Sequence, residues 1–240
     1  MTNIFKGFAL AVSMLTALPF FRVHDFFKGI NGYAVMFYPL VGFLLGLILW
    51  GVYTLLVPFV APSHLGIIIF VLWVLLTGAL HLDGLSDTVD GLYVSKEKAL
   101  KVMKDANVGG MGMIISATFL IAKASSLAHF EAFYLLPIIL MLSRFNAVLA
   151  IYFYPYVSPN GMSTLAKEEL TKSQMFVAFF YTLVLVAFFD AWLALVTAFL
   201  VLFFIKQFFI KRYGGFTGDI YGFSIEVTEL VLLNVLLFSL

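Results

Sequence analysis

Apolar residues along the chain gather into continuous runs of about twenty, the length a helix needs to cross a bilayer. The runs predict membrane helices near Tyr33–Pro58, Leu65–Leu82, Gly110–Ala128, Tyr134–Tyr154, Gln174–Phe189, Ala191–Phe209 and Ile220–Leu240. The stretch from Met175 to Phe209 is too long for one crossing, and Asp190 marks the expected hairpin tip between two. A transmembrane barrel would instead show alternating segments of about ten residues. The expected fold class is all-α, a polytopic integral membrane bundle of about seven helices. Before it, Ile4–Phe21 carries Lys6 ahead of an apolar core, as a signal peptide would. Thr16-Ala17-Leu18-Pro19 running into Phe20-Phe21 makes a poor small-x-small cleavage site, so an interfacial or re-entrant mature helix is expected there.

The polar residues sort by connection. Phe21–Gly32, Asp83–Gly109, Pro155–Ser173 and Lys206–Asp219 carry Arg22, Lys28, Lys96, Lys98, Lys101, Lys104, Lys167, Lys172, Lys206, Lys211 and Arg212. The alternate connections, Phe59–His64, His129–Phe133 and the tip at Asp190, carry no Lys or Arg. This asymmetry is the positive-inside pattern and predicts long loops in the cytoplasm, with the C-terminus outside. A multi-pass protein of the cytoplasmic (inner) cell membrane is expected, working on cytoplasmic molecules.

Composition agrees: 63% of residues are hydrophobic and 11% charged, and the mean hydropathy is +1.07. Soluble domains carry about a quarter charged residues, so the expected surroundings are lipid. A net charge of +1 with no basic stripe points to no nucleic-acid partner. The absence of cysteine removes disulfides and thiolate metal ligands. One domain over residues 1–240 is expected.

The most informative segment is His81-Leu-Asp83-Gly-Leu-Ser-Asp87-Thr-Val-Asp90-Gly91. On a helix, Asp83, Asp87 and Asp90 fall within roughly 60° of one another. Three like charges on one stripe repel unless a cation neutralises them, and oxygen-only ligands suit Mg²⁺ or Mn²⁺. A solvated helix face beyond the membrane edge is the alternative. His81 would sit about 200° from Asp83 on a continuous helix, facing away from the stripe unless the helix breaks near Gly84.

Further on, Lys104-Asp105-Ala-Asn107-Val-Gly109-Gly110-Met-Gly112 opens the next span. Glycines at a helix entrance allow close approach of an anion such as phosphate, or form a flexible connection. A second acidic group begins the last span: Gly214-Gly215-Phe-Thr217-Gly218-Asp219, then Glu226 and Glu229. Asp219 and Glu226 are cofacial, and Glu226 lies about 10 Å along the helix, where an unpaired charge is expensive. Lys123 and Arg144 are the Lys and Arg residues inside predicted spans. They can bind a substrate phosphate or form a structural ion pair with Glu226 or an aspartate.

These motifs together closely resemble the adenosylcobinamide-GDP ribazoletransferase (cobalamin-5′-phosphate synthase) family. The resemblance rests on the segment from His81 to Gly91, on Met103-Lys-Asp105, and on Gly214-Gly215-x-Thr217-Gly218-Asp219-x-x-Gly222 before Glu226 and Glu229. Leu15-Thr-x-Leu18-Pro19, Phe37-x-Pro39-Leu-x-Gly42, Lys123 and Arg144 extend it in order over nearly the whole chain. It departs from the family at Asn107 and Ala17, where an Arg is usual, and at Phe216, where a Gln is usual. The lost Arg at 107 puts a phosphate contact in doubt, with Lys104 a possible substitute.

The resemblance implies a membrane-bound, Mg²⁺-dependent transferase. In it the 3′-hydroxyl of α-ribazole, or of its 5′-phosphate, attacks the cobinamide phosphate of adenosylcobinamide-GDP and GMP leaves. It implies Asp83, Asp87, Asp90 and Asp219 as metal ligands, and Asp90 or Asp105 as the carboxylate, with a raised pKa, that takes the hydroxyl proton. Lys104, Lys123 and Arg144 are the expected phosphate contacts, with Gly109, Gly112, Thr217, Glu226 and Glu229 as further substrate-binding residues. Other cobalamin-assembly enzymes and a second copy of the chain are the expected protein partners. Two rivals remain at this stage. A CDP-alcohol phosphotransferase would need two further aspartates at i, i+4 on the following helix, where this chain has Asp105 and then glycines. An ion-coupled transporter would need polar groups across the bilayer, whereas the acids here collect at one face.

Overall fold

The computed structural model describes residues 3–18, 27–105, 107–158 and 163–239, so Pro19, Phe20, Phe21, Arg22 and Leu240 lie outside the described residues. Among the described residues the regular structure is helical apart from one isolated parallel bridge between Tyr156 and Phe216. The helices are α1 Asn3–Leu15, α2 Ile30–Leu56, α3 Pro62–Thr77, α4 Leu80–Leu92, α5 Lys96–Val102 and α6 Gly110–Ala128. They continue with α7 Leu136–Phe153, α8 Thr164–Glu169, α9 Lys172–Phe188, α10 Trp192–Tyr213 and α11 Gly218–Ser239.

Among the described residues, five helical stretches are long and apolar enough to cross a membrane: α2, α6, Phe133–Phe153, α10 and α11. The predicted span Leu65–Leu82 is corrected. It breaks at Gly78 and Ala79, both left-handed, and α3 meets α4 at 85°. Hydropathy sees an uninterrupted apolar run there and cannot see the sign of a backbone dihedral. The α3–α4 pair brings the candidate spans to six, and the apolar α9, at 17 residues, falls short by length. The expected loop Asp83–Gly109 is likewise largely helical, forming most of α4 and all of α5. Asp190 sits at the α9–α10 turn as expected, with a left-handed backbone. At 13 residues α1 is about 20 Å long, too short to span, and it lies against α2.

α7 is the centre of the bundle, with almost every residue from Leu136 to Ile151 buried. α2 packs on it through glycines: a Cβ at Gly42 would fall on the Leu140 carbonyl, and one at Gly46 would meet the Pro137 nitrogen at 2.5 Å. Small residues let helix backbones approach where lipid supplies no hydrophobic drive between helices. α2 also carries Pro39, which cannot donate to the helix ladder. Beside it the Tyr181 hydroxyl from α9 enters the ladder. It accepts from the Leu40 amide (3.3 Å) and donates to the Met36 carbonyl (2.8 Å). Tyr181→Phe removes this bridge and should cost about 1–3 kcal/mol, read as a lower aggregation midpoint in detergent. An unchanged midpoint would mean the ladder closes without it.

The two ends of the bundle differ. At one end Tyr53 stacks on Phe133 at 3.7 Å, and a Cβ at Gly66 would fall on the Leu127 carbonyl, which gathers the basic-free turns. At the other, Arg212 donates from Nη2 to the carbonyls of Leu92 (2.8 Å) and Val94 (3.2 Å), and Tyr213 to that of Gly91 (3.0 Å). These donors satisfy carbonyls at the C-terminus of α4 that a helix end leaves unpaired. Glu169 accepts from the amide and side chain of Asn31 at 2.9 and 2.8 Å, tying α8 to the start of α2 at the same end.

Candidate active site

α4 and α11 cross on two glycines. A Cβ at Gly84 would meet the Asp219 carbonyl oxygen at 2.9 Å, and one at Gly222 would meet the His81 carbonyl oxygen at 3.2 Å. The close crossing brings the acidic stripe of α4 against the N-terminus of α11, so the two acidic motifs become one cluster. Asp83, Asp219 and Asp90 are each near enough to repel the Asp87 carboxylate. Asp83 is exposed, and Asp87 and Asp219 are half-buried. Lys104 adds a positive charge that attracts Asp219.

Beside the crossing lies a cavity of about 350 Å³. Asp83, Asp219, His81 and Lys104 line it, together with Tyr38, Tyr156, Tyr221, Ser158 and Ser163, and with apolar Met14, Leu15 and Ile151. His81 therefore reaches the site without a break at Gly84: the cavity borders the first turn of α4, with Leu80, His81, Asp83 and Gly84 all lining it. It is 4% exposed, and neither ring nitrogen has a partner among the described residues. The sequence analysis missed the three tyrosines and two serines. They come from α2, α11 and the connection after α7, and no local spacing links them.

Asp90 serves the fold. Its two oxygens accept from the amides of Gly109 and Gly112, both at 2.7 Å, which caps the start of α6 with a carboxylate. The glycine-rich entrance thus holds the chain's own anion, the amides of Gly109 and Gly112 being bonded to Asp90, while each Asp90 oxygen keeps a further lone pair. A Cβ at Gly112 would also meet Ser86 Oγ at 2.7 Å, so the glycines make room for the carboxylate. Asp90→Ala should cost about 2 kcal/mol of stability, and Asp90→Asn, which keeps one acceptor, less. An Asp90→Ala protein that melts with the parent would end this role.

Lys123, Arg144, Glu226 and Glu229 close on each other. Lys123 Nζ donates to Glu226 Oε2 at 2.7 Å and to Glu229 Oε2 at 2.5 Å, and it lies 4.1 Å from the centre of the Trp73 ring. Arg144 donates to Glu229 Oε1, which also accepts from Ser143 Oγ at 3.2 Å. All four are buried and none lines the cavity. Of the two readings open for the bases, the structural ion pair is the one observed among these residues. Two positive and two negative charges neutralise each other, as burial in a bundle core demands.

Two expected residues change role. Thr217 is buried and caps α11 by accepting from the Ile220 amide at 3.2 Å; its hydroxyl also donates to Asp219 Oδ2 at 3.3 Å. It orients the start of the helix and the Asp219 carboxylate. Asp105 is exposed and accepts from the amide and side chain of Asn107 at 3.1 and 2.9 Å. Those bonds hold its carboxyl below the usual range, opposite to the raised pKa expected of a base. Among the described residues, no three acidic or histidine side chains already enclose a point where an ion would sit. The fit to a divalent cation rests on chemistry: three neighbouring carboxylates, Asp83, Asp87 and Asp219, would suit a hard cation that takes its remaining ligands from phosphate.

Sequence comparison now adds an independent finding. The sequence model of the cobalamin-5-phosphate synthase family matches residues 7–237. An adenosylcobinamide-GDP ribazoletransferase from Desulforamulus reducens is 37% identical over 94% of both chains. One from Desulfitobacterium hafniense is 33% identical over 93% of both, and one from Thermosynechococcus vestitus 37% identical over 81% of this chain and 82% of its own. No solved structure matches the chain. A match that runs from α1 to α11, with both acidic motifs meeting at one cavity, shows that the chain belongs to the cobalamin-5-phosphate synthase family.

Proposed function

We propose that this protein transfers the cobinamide phosphate of adenosylcobinamide-GDP to the 3′-hydroxyl of α-ribazole or of its 5′-phosphate, releasing GMP. The convergence of Asp83 and Asp219, from opposite halves of the sequence, on one cavity carries the reading. The names of the curated relatives supply the chemistry. The ribazole oxygen forms a bond to phosphorus as the bond to the GMP oxygen breaks, and the hydroxyl proton must leave. Phosphoryl transfer asks a protein for alignment and charge compensation above all. Asp83 and Asp219 would hold Mg²⁺, which when bound compensates the charge growing on departing GMP. Lys104 at the cavity wall contacts phosphate. A carboxylate of the acidic cluster takes the hydroxyl proton.

The site faces the cytoplasm on this reading, since the basic residues cluster at its end of the bundle. The chain has no cysteine, so single cysteines at Lys98 and His64 report sidedness directly. In intact cells a membrane-impermeant maleimide should label the cysteine at 64 and spare that at 98. The reverse labelling would invert the topology.

The activity test is GMP release from adenosylcobinamide-GDP by detergent-purified protein, with and without α-ribazole and Mg²⁺. Release that needs both additions supports the proposal. Release without α-ribazole would make the protein a hydrolase, and no release under any condition would overturn the reading.

A further inference from the structure

Four aromatic rings form a shingled ladder that ends at the cavity. Tyr154 stacks on Phe216 (5.3 Å between centroids, 27° between planes), Phe216 on Tyr221 (5.6 Å, 20°) and Tyr221 on Tyr156 (6.1 Å, 14°). The ladder is held from several sides. The Phe216 amide donates to the Pro155 carbonyl at 2.8 Å, and the Val157 amide to the Phe216 carbonyl at 2.9 Å, fixing the register of the Tyr156–Phe216 bridge. Phe216 is fully buried, and Phe209 leans on it at 6.3 Å. Tyr156 and Tyr221 line the cavity, whereas Tyr154 and Phe216 do not. Tyr156 is the last rung and only half-buried. The Tyr221 hydroxyl is buried and has no partner among the described residues.

A preordered stack whose final ring borders a cavity beside carboxylates and a lysine is the surface a nucleoside needs. The flat base stacks while its phosphate reaches the charged end. We propose that Tyr156 is the stacking platform for the planar heteroaromatic base of a substrate. The inference rests on the transferase reading above and deepens it. Both proposed substrates carry such a base, so the chemistry is shared between a purine leaving group and the base of the accepting nucleoside. Rigid aromatic faces bind bases with little loss of side-chain freedom, because the rings are already fixed.

The test is steady-state GMP release by the full-length protein in detergent, varying each substrate separately, for the parent, Tyr156→Leu, Tyr156→Phe and Tyr154→Leu. Loss of a base–aromatic stack predicts about a tenfold or larger rise in KM for one substrate in Tyr156→Leu. Tyr156→Phe should restore the parent value. A rise confined to α-ribazole places the accepting base on the platform, and one confined to adenosylcobinamide-GDP places the guanine there. Tyr154→Leu, at the far end of the ladder, should leave both KM values within about twofold.

If Tyr156 is only a membrane-interface anchor, Tyr156→Leu lowers the amount of stable protein and leaves both KM values unchanged, and the proposal falls. Should Tyr156→Leu not fold, Tyr156→Met and Tyr156→Gln, which remove the ring but keep much of its length, carry the comparison. A raised KM for one substrate in these variants, with Tyr156→Phe at the parent value, supports the platform, and unchanged values for both substrates overturn it. An inactive parent protein would instead count against the transferase reading.

Discussion

Asp83→Asn and Asp219→Asn are each expected to reduce GMP release by at least about a thousandfold while leaving the protein in the membrane at parental levels. The two carboxylates line one cavity, and a neutral amide removes the charge that would hold the cation on the diphosphate. Because Asp83 is exposed, and an Asn at 219 keeps an amide oxygen that can accept from Thr217, folding should survive. Relief of repulsion within the cluster could even raise stability slightly, by a few tenths of a kcal/mol. The distinguishing result is the pairing of lost turnover with an unchanged aggregation midpoint. Turnover near the parent value from either variant would remove that carboxylate from the site. Raising Mg²⁺ should rescue Asp→Asn only weakly, since the amide oxygen is a poorer ligand than the carboxylate.

Glu229→Gln is expected to do the opposite: a loss of stability of about 3–5 kcal/mol, with activity per folded molecule largely kept. Glu229 answers two positive charges, Lys123 and Arg144, and also accepts from Ser143, in a core with no exposure. Neutralising it leaves one buried cation uncompensated. The compensating change sharpens the test. Lys123→Met with Glu229→Gln removes one charge of each sign, and should recover part of what either single change loses. Measured by loss of monodisperse protein on heating in detergent, recovery in the double variant identifies a coupled structural pair. If Glu229→Gln kept its midpoint but lost turnover, the ion cluster would belong to the chemistry and not to the core.

Much of the framework was legible because a bilayer imposes a long, simple pattern. Gly110–Ala128 was read from the sequence with the same ends that the helix has, since glycines bound one side and His129 the other. The Asp190 turn was legible for the same reason: one acid interrupts an apolar run too long for a single crossing. The break between α3 and α4 was not legible. Leu80, His81 and Leu82 continue the apolar pattern across Gly78, and only the left-handed Gly78–Ala79 pair turns the chain by 85°. That turn makes the first turn of α4 a helix end against which the cavity lies, so His81 and Asp83 both line it although they are on different faces of the helix.

By itself the sequence determined the all-helical membrane architecture, the segregation of basic residues to one end, and the acidic motifs that mark the reactive end. Each of these is a local or periodic property, readable from which residues follow which. Tertiary structure alone decided what each charged group does. Asp90 went to the amides of Gly109 and Gly112, the Lys123–Arg144–Glu226–Glu229 group closed on itself, and Asp83 and Asp219 were left facing a cavity. The reason is electrostatic: a buried charge takes whatever partner the packing brings within hydrogen-bonding distance, and distance between helices is not written in their spacing along the chain.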